Sequence, residues 1–333
     1  MSNKVNIRQI ARICGVSPAT VSRAINRSAP VNLETRRKIE AAMEQYHYQL
    51  PPTQSPKSKK CGAVGVLVPD LRHDFFQHVM AEIDVLLREQ GSYMIAFPER
   101  QPNVLQRIEK IPLDGVILLS EEETDGLADY LKQRRLSVVV CGALSLNRQC
   151  PAVHVDDLSA AYDGTNYLLE LGHREIGFIS DTPRSISSGF QRVAGSRKAM
   201  EDRGLFLQED NVFSQGNDFD SGYQGAKILL DKNPRLTAIF AHSDASAVGA
   251  ILALEDMGRV VPDDISVLGF DDLTIGERIR PRLTCVHQPV REIVAKSLEL
   301  LYESVDSGQP STGHPSITLP HRITVRDSCR AVE

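Results

Sequence analysis

The sequence predicts a small all-α head followed by an α/β body of two lobes, each built on a doubly wound parallel sheet. Three observations lead to that reading. Charge is distributed unevenly: residues 1–60 hold eleven Lys/Arg against three Glu, a net +8, whereas residues 61–333 carry −13. Apolar spacing changes near residue 62 from short helical repeats to β-branched runs alternating with helical stretches. That alternation then restarts near residue 176, which suggests two consecutive units. A length of 333 residues agrees with two domains and a small extra piece, taking about 150 residues per domain.

Composition removes several classes. The 41% apolar content suits large cores and not a disordered chain. No apolar run approaches the roughly 20 residues a membrane span needs. The start, MSNKVNIRQIARIC, has no apolar signal core, so a cytoplasmic protein is expected. The cysteines at 14, 61, 141, 150, 285 and 329 form no CxxC pair. They predict neither a zinc site nor a redox motif, and Cys14 and Cys141 read as small core residues.

In the head, Ile7, Ile10, Ala11 and Cys14 share one helical face, and Gly15 ends that helix. Ser17 then caps a second helix that opens on Pro18 and buries Val21, Ala24 and Ile25. Asn32 can cap a third, buried through Ile39, Ala42, Met43 and Tyr46. Two short helices around a glycine turn, closed by a third, form a helix-turn-helix pattern. Pro18, Ala19, Ser22, Arg23 and Asn26 then face outward. Ser17, Thr20 and Ser22 carry hydroxyls suited to phosphates, and Arg23 suits a guanine edge or a phosphate. A three-helix bundle that binds a protein is the alternative at this point.

Residues 49–60, QLPPTQSPKSKK, hold three prolines and no apolar period, so they read as a linker. Lys57, Lys59 and Lys60 are its candidate phosphate contacts.

Strand candidates in the body are Ala63–Val68, Tyr93–Phe97, Gly115–Leu119, Val138–Cys141, Ile176–Ser180, Thr237–Ala241, Ile265–Phe270 and Leu283–Val286. A helix between the first two buries Phe76, Val79, Met80, Ile83, Leu86 and Leu87. Ligands of such sheets sit beyond the carboxyl ends of the strands, hence in a cleft between lobes. Asp156, Asp244 and Asp271 follow strands there, although each acid also suits a helix cap. Catalysis has little support. His242, Ser243 and Asp244 are adjacent and cannot form a relay of facing side chains, and no phosphate-binding glycine loop or metal spacing occurs. No cofactor or metal is expected. His173 reads as a turn residue before a strand.

Two long segments, Ile7-Arg8-Gln9-Ile10-Ala11 and Gly15-Val16-Ser17-Pro18-Ala19-Thr20-Val21-Ser22-Arg23-Ala24-Ile25-Asn26, resemble the DNA-binding head of the LacI/GalR family. In the body, Val155-Asp156-Asp157, Gly172-His173-Arg174, Arg192-Val193-Ala194-Gly195, Ser243-Asp244, Gly269-Phe270-Asp271-Asp272 and Leu283 to Pro289 resemble the family's landmarks. The resemblance implies that Pro18, Ala19 and Arg23 read bases. It implies a helix-turn-helix domain at 1–48, a linker at 49–61, and an effector-binding and dimerisation domain at 62–333. It also implies a periplasmic-binding-protein-like body whose lobes are discontinuous: about 62–157 plus 288–319, and about 161–285 plus 321–330. The family's linker usually forms a short helix with a leucine wedged into the minor groove; here Pro56 and Lys57 stand near that place.

What the resemblance implies for function is a ligand-controlled repressor acting as a dimer on a near-palindromic operator. The cleft residues expected to meet effector are Phe75, Phe76, Asp156, Arg192, Phe219, Asp244 and Asp271. His242-Ser243-Asp244 and Val153-His154-Val155 look most like the cytidine-repressor branch. A nucleoside is therefore the expected effector, with a sugar as the alternative. The absence of a leucine heptad after the last strand favours a dimer over a tail-mediated tetramer. The acidic body is expected to leave DNA contact to the head. A solute-binding protein, or a pathway enzyme with an accessory head, are the competing readings.

Overall fold

A computed structural model describes residues 7–18, 20, 21, 32, 35, 38, 39, 42, 61–119, 130, 131, 133, 134, 136–145, 150–307 and 316–332. The chain divides into two compact units, residues 1–59 and 60–333.

In the first unit, helix α1 (Ile7–Cys14) buries Ile10 and Ala11. Gly15 turns the chain at φ +66, a conformation open to glycine at no steric cost. Residues 18, 20 and 21 are helical, and Ser17 Oγ accepts from the Thr20 N–H at 3.1 Å, the cap the sequence suggests. Val21, Ile39 and Ala42 are buried beside them in the same unit. Cys14 is only half-buried and donates to the Lys38 carbonyl, so it closes the edge of this small core instead of filling it. Ala19, Ser22, Arg23, Asn26, Met43, Tyr46 and the linker lysines Lys57, Lys59 and Lys60 lie outside the described residues.

The second unit alternates strands and helices: β1 (Ala63–Val68), α2 (Asp74–Glu89), β2 (Tyr93–Pro98), α3 (Val104–Ile108), β3 (Gly115–Leu118), β4 (Ser137–Cys141), β5 (Ala152–Val155) and α4 (Asp157–Glu170). It continues through β6 (Ile176–Ser180), a π-helical turn (Ile186–Gln191), α5 (Arg192–Asp202), β7 (Val212–Ser214), α6 (Phe219–Lys232), β8 (Ala238–Ala241) and α7 (Asp244–Asp256). β9 (Ser266–Asp271), α8 (Thr274–Arg278), β10 (Thr284–His287), α9 (Val290–Ser307), β11 (Ile317–Leu319) and β12 (Arg322–Thr324) complete it.

Two six-stranded sheets result, with orders β11-β5-β4-β3-β1-β2 and β12-β10-β9-β8-β6-β7. All pairings are parallel except β10 with β12. Parallel strands need helices on both faces, which explains why β1, β3, β4 and β5 are buried along their whole length. The chain passes between lobes three times, after β5, after β10 and after β11. The first passage is at Asp156, between β5 and α4. Asp156 caps α4, and Ala160 and Ala161 of that helix already belong to the second lobe's core. Among the described residues no helix is long and apolar enough to cross a membrane.

Candidate functional site

The carboxyl ends of both sheets face one cavity of about 440 Å³. Pro69, Glu99, Leu119 and Gly142 line it just beyond β1, β2, β3 and β4 of the first lobe. Asp181 follows β6, Asn217 lies beyond β7, and Asp271 ends β9 of the second lobe.

One wall is aromatic. α2 begins at Asp74, whose charge suits a helix N-terminus. That start places Phe75 and Phe76 in the first turn, where both rings line the cavity. Their centroids are 5.9 Å apart in an edge-on arrangement, and His73 lies 4.9 Å from Phe76. Across the cavity rim, the His73 Nε2 pairs with Asn217 Oδ1 at 3.1 Å.

The opposite wall is polar. Arg192, the first residue of α5, is buried with its guanidinium 3.6 Å over the Phe270 ring. Its Nε donates to Asp157 Oδ1 at 2.8 Å and its Nη1 to the His242 carbonyl. Asp271 Oδ1 lies 4.0 Å from the same Nη1 and accepts from Gln288 Nε2 at 2.7 Å. Burial pushes the Asp271 carboxyl up to about 6, against the pull of Arg192 and Gln288. Its φ of +115 is strained for a residue with a Cβ, as is the +66 of Asp272. The π-helical turn adds Ser185 and Ser188, and Ser188 Oγ donates to Asp181 Oδ2 at 3.0 Å. The site thus sets stacking faces against a hydrogen-bonding wall. Among the described residues no cluster of acids, histidines or cysteines could hold a metal.

Known proteins match the chain end to end. The model of "Bacterial regulatory proteins, lacI family" matches residues 6–50, and that of the "Periplasmic binding protein-like domain" matches residues 165–329. Catabolite control protein A of Priestia megaterium is 30% identical, over 98% of this chain and 99% of that protein. This chain belongs to the lacI family of bacterial regulatory proteins. The HTH-type transcriptional repressor CytR of Escherichia coli K12 is 29% identical over 98% of this chain and 96% of its own length. Among solved structures, a complex of the transcriptional regulator CelR with cellobiose superposes with a TM-score of 0.73 at 28% identity, covering 97% of this chain and 99% of that one.

Within this lacI-family body, four of the seven residues expected in the cleft meet at the cavity: Phe75, Phe76, Arg192 and Asp271. Three do not. Asp156 turns its carboxylate to the Ser159 N–H and hydroxyl at 3.0 and 2.7 Å, the helix-cap alternative. Its neighbour Asp157 is the acid that reaches Arg192. Phe219 starts α6 and is 40% exposed, and Asn217, two residues earlier, lines the cavity instead. Asp244 is wholly buried behind Asp271. Its Oδ2 accepts from the Leu273 N–H at 2.5 Å while Oδ1 has no hydrogen-bond partner among the described residues. Burial and the charge of Asp271 hold its carboxyl well above the usual range. Ser243, not Asp244, caps α7, with Oγ accepting from the Ser246 N–H at 3.0 Å.

His73, Asn217, Asp181, Ser185 and Ser188 were not singled out in sequence. Asp181 had a usable signal, since it follows a buried strand as Asp271 does. The two serines and Asn217 sit on short connections whose path no periodicity encodes. His173 makes bonds to Thr237 Oγ1 and the Arg330 carbonyl, consistent with a turn residue.

Proposed function

We propose that this lacI-family chain is an effector-controlled transcriptional repressor that binds a near-palindromic operator as a homodimer. Pro18, Ala19 and Arg23 contact base edges, and Ser17, Thr20, Ser22 and Asn26 contact the adjoining backbone, with Lys57, Lys59 and Lys60 on flanking phosphates. The effector sits between the lobes, in the cytoplasm. Its chemical class is a nucleoside, with a sugar as the second reading.

The observation that carries this is the two-sided cavity. Two phenyl rings offer a stacking face to a planar base. The facing Arg192, Asp271, Asn217 and serines offer donors and acceptors to hydroxyls and amide edges. Four carboxylates, Asp70, Glu99, Asp181 and Asp271, also line it against two cations, Arg100 and Arg192, and Arg192 is already engaged by Asp157. That lining favours an uncharged ligand over its phosphate ester. The sugar reading draws on the cellobiose bound by the CelR relative. Effector bound between lobes alters DNA affinity only through its different affinities for the open and closed bodies.

A thermal-shift series on the full chain with cytidine, adenosine, D-ribose, cellobiose and cytidine 5′-monophosphate tests the reading. At 100-fold excess over Kd a bound ligand stabilises by about 2.7 kcal/mol, a melting shift of several degrees. A nucleoside is expected to give that shift and the monophosphate to give little. No shift with any nucleoside or sugar contradicts the assignment.

A further inference from the structure

We propose that His242, which does not line the cavity, is the positioning residue of the effector site, because one neutral imidazole in its Nδ1–H form sets both Arg192 and the serine-bearing turn. The proposal rests on the interlobe cavity being the effector site and adds how its polar wall is held.

His242 directly follows β8 and is fully buried. Phe240 packs against its ring edge-on, with centroids 4.7 Å apart. Each polar atom of the residue has a defined partner. Its carbonyl accepts from Arg192 Nη1. Its Nδ1 lies 3.0 Å from Ser180 Oγ, and its Nε2 lies 3.3 Å from Ser196 Oγ.

The tautomer follows from proton accounting. Ser180 Oγ donates to the Ser188 carbonyl at 3.1 Å and also lies 3.4 Å from that of Gly189. A hydroxyl has one proton. Ser180 therefore meets the imidazole with a lone pair, and Nδ1 must carry the hydrogen. Nε2 is then bare and accepts from Ser196. A second proton on the ring would face the Ser196 hydroxyl in a dry interior beside the Arg192 cation. Burial and that cation hold the imidazole pKa well below its ordinary value.

The consequences converge on the cavity. Ser180 ties the π-helical turn through the carbonyls of Ser188 and Gly189, and this turn presents Ser185 and Ser188 to the ligand. Ser196 lies one turn beyond Arg192 on α5, so the Nε2 contact anchors the helix that carries the guanidinium. Around the imidazole the charged groups are Arg192 itself, with Asp157 and Asp271 on the guanidinium. His242 so fixes two of the wall's groups without touching ligand.

Histidine-selective 15N NMR of the full chain without ligand tests the tautomer directly. The expected result is a His242 signal of the neutral Nδ1–H form, unchanged from pH 8 to pH 5.5. An Nε2–H pattern, or titration near pH 6.5, overturns the proposal. The affinity arm uses whichever of cytidine, adenosine, D-ribose or cellobiose binds the wild type most tightly, measured by calorimetry. His242→Leu is expected to weaken binding about tenfold or more, since it leaves buried Ser180 and Ser196 unsatisfied. His242→Asn places an amide N–H near the Nδ1 position and is expected to recover most of that loss. His242→Gln reaches toward Ser196 and is expected not to. Equal affinities in all three, or equal losses tracking only melting temperature, reduce His242 to a core residue and overturn the proposal. Failure of the wild type to bind any probe contradicts the nucleoside or sugar reading instead, while the NMR result still decides the role of His242.

Discussion

Single carboxylates show most clearly what position adds to residue type. Asp156 and Asp157 are chemically alike and adjacent, yet one caps a helix and the other holds Arg192, 35 residues away. Sequence supplies "an acid after a strand" and leaves open which of two neighbours turns inward. Asp271 is a case where the sequence placement holds, and its environment gives a pH prediction. Its carboxyl is raised to about 6 by burial. Hydroxyl or amine donors of a ligand favour the ionised form, so binding lowers that value and expels a proton. Effector affinity is expected to fall as pH drops through 6, by up to about tenfold per unit for one linked proton. Stability follows the opposite sign. A folded-state value above the unfolded one adds stability present below about pH 4 and lost as pH rises through about 6. Calorimetry from pH 5 to 8 should show the slope in wild type and its loss in Asp271→Asn. A flat wild-type profile would falsify the linkage.

Elements are legible where an apolar run is long enough to register, not simply where the chain is buried: β2 is mostly unburied yet read to within a residue, while fully buried β5, four residues broken by His154, is not among the strand candidates. Strands β1, β3, β4, β6, β8 and β9 are apolar runs buried on both faces, and their periodicity gives each to within a residue or two. β7, β11 and β12 have three residues each with mixed exposure, too short for any period to register. The pair α6 and α7 shows a different kind of information. Gly222 on α6 faces Ser246 of α7, and Gly249 on α7 faces the Phe219 carbonyl and Tyr223 amide of α6. A Cβ at either glycine would overlap backbone, so the two helices touch main chain to main chain. This spacing reaches the site, because Ser243 at the start of α7 donates to the Asn217 carbonyl just before α6. In an exposed helix Gly→Ala stabilises by about 1 kcal/mol. Here Gly249→Ala is expected to destabilise by roughly 1–3 kcal/mol, because the backbones must part. Urea unfolding reads the sign, and a stabilised variant would show that the crossing is looser than these contacts imply.

At the scale of the whole molecule, the charge split of +8 and −13 foretold a basic head on an acidic body. It said nothing of how two lobes meet around a cavity. Chain passages at 155–157, 287–290 and 319–322 join lobes made of distant segments, and such long-range pairing leaves no local pattern. The lobes also meet at the cavity rim, where His73 and Asn217 pair across 144 residues of sequence. Asp218, beside Asn217, is raised by partial burial but held below the ordinary carboxylate range overall by its capping bonds from Ser221, which fix the start of α6 next to that contact. One net hydrogen bond is worth about 1 kcal/mol, roughly a fivefold shift between open and closed bodies. His73→Ala and Asn217→Ala are each expected to enlarge the radius of gyration of the ligand-free chain in X-ray scattering and to weaken the effector about fivefold. Both residues also line the cavity, so each single variant alone confounds closure with direct ligand contact. The double variant separates the two. If the residues act through their shared contact, His73→Ala with Asn217→Ala costs little more than either change alone. Additive losses, with an unaltered radius, would show instead that each meets the ligand separately and that the rim pair does not hold the lobes together.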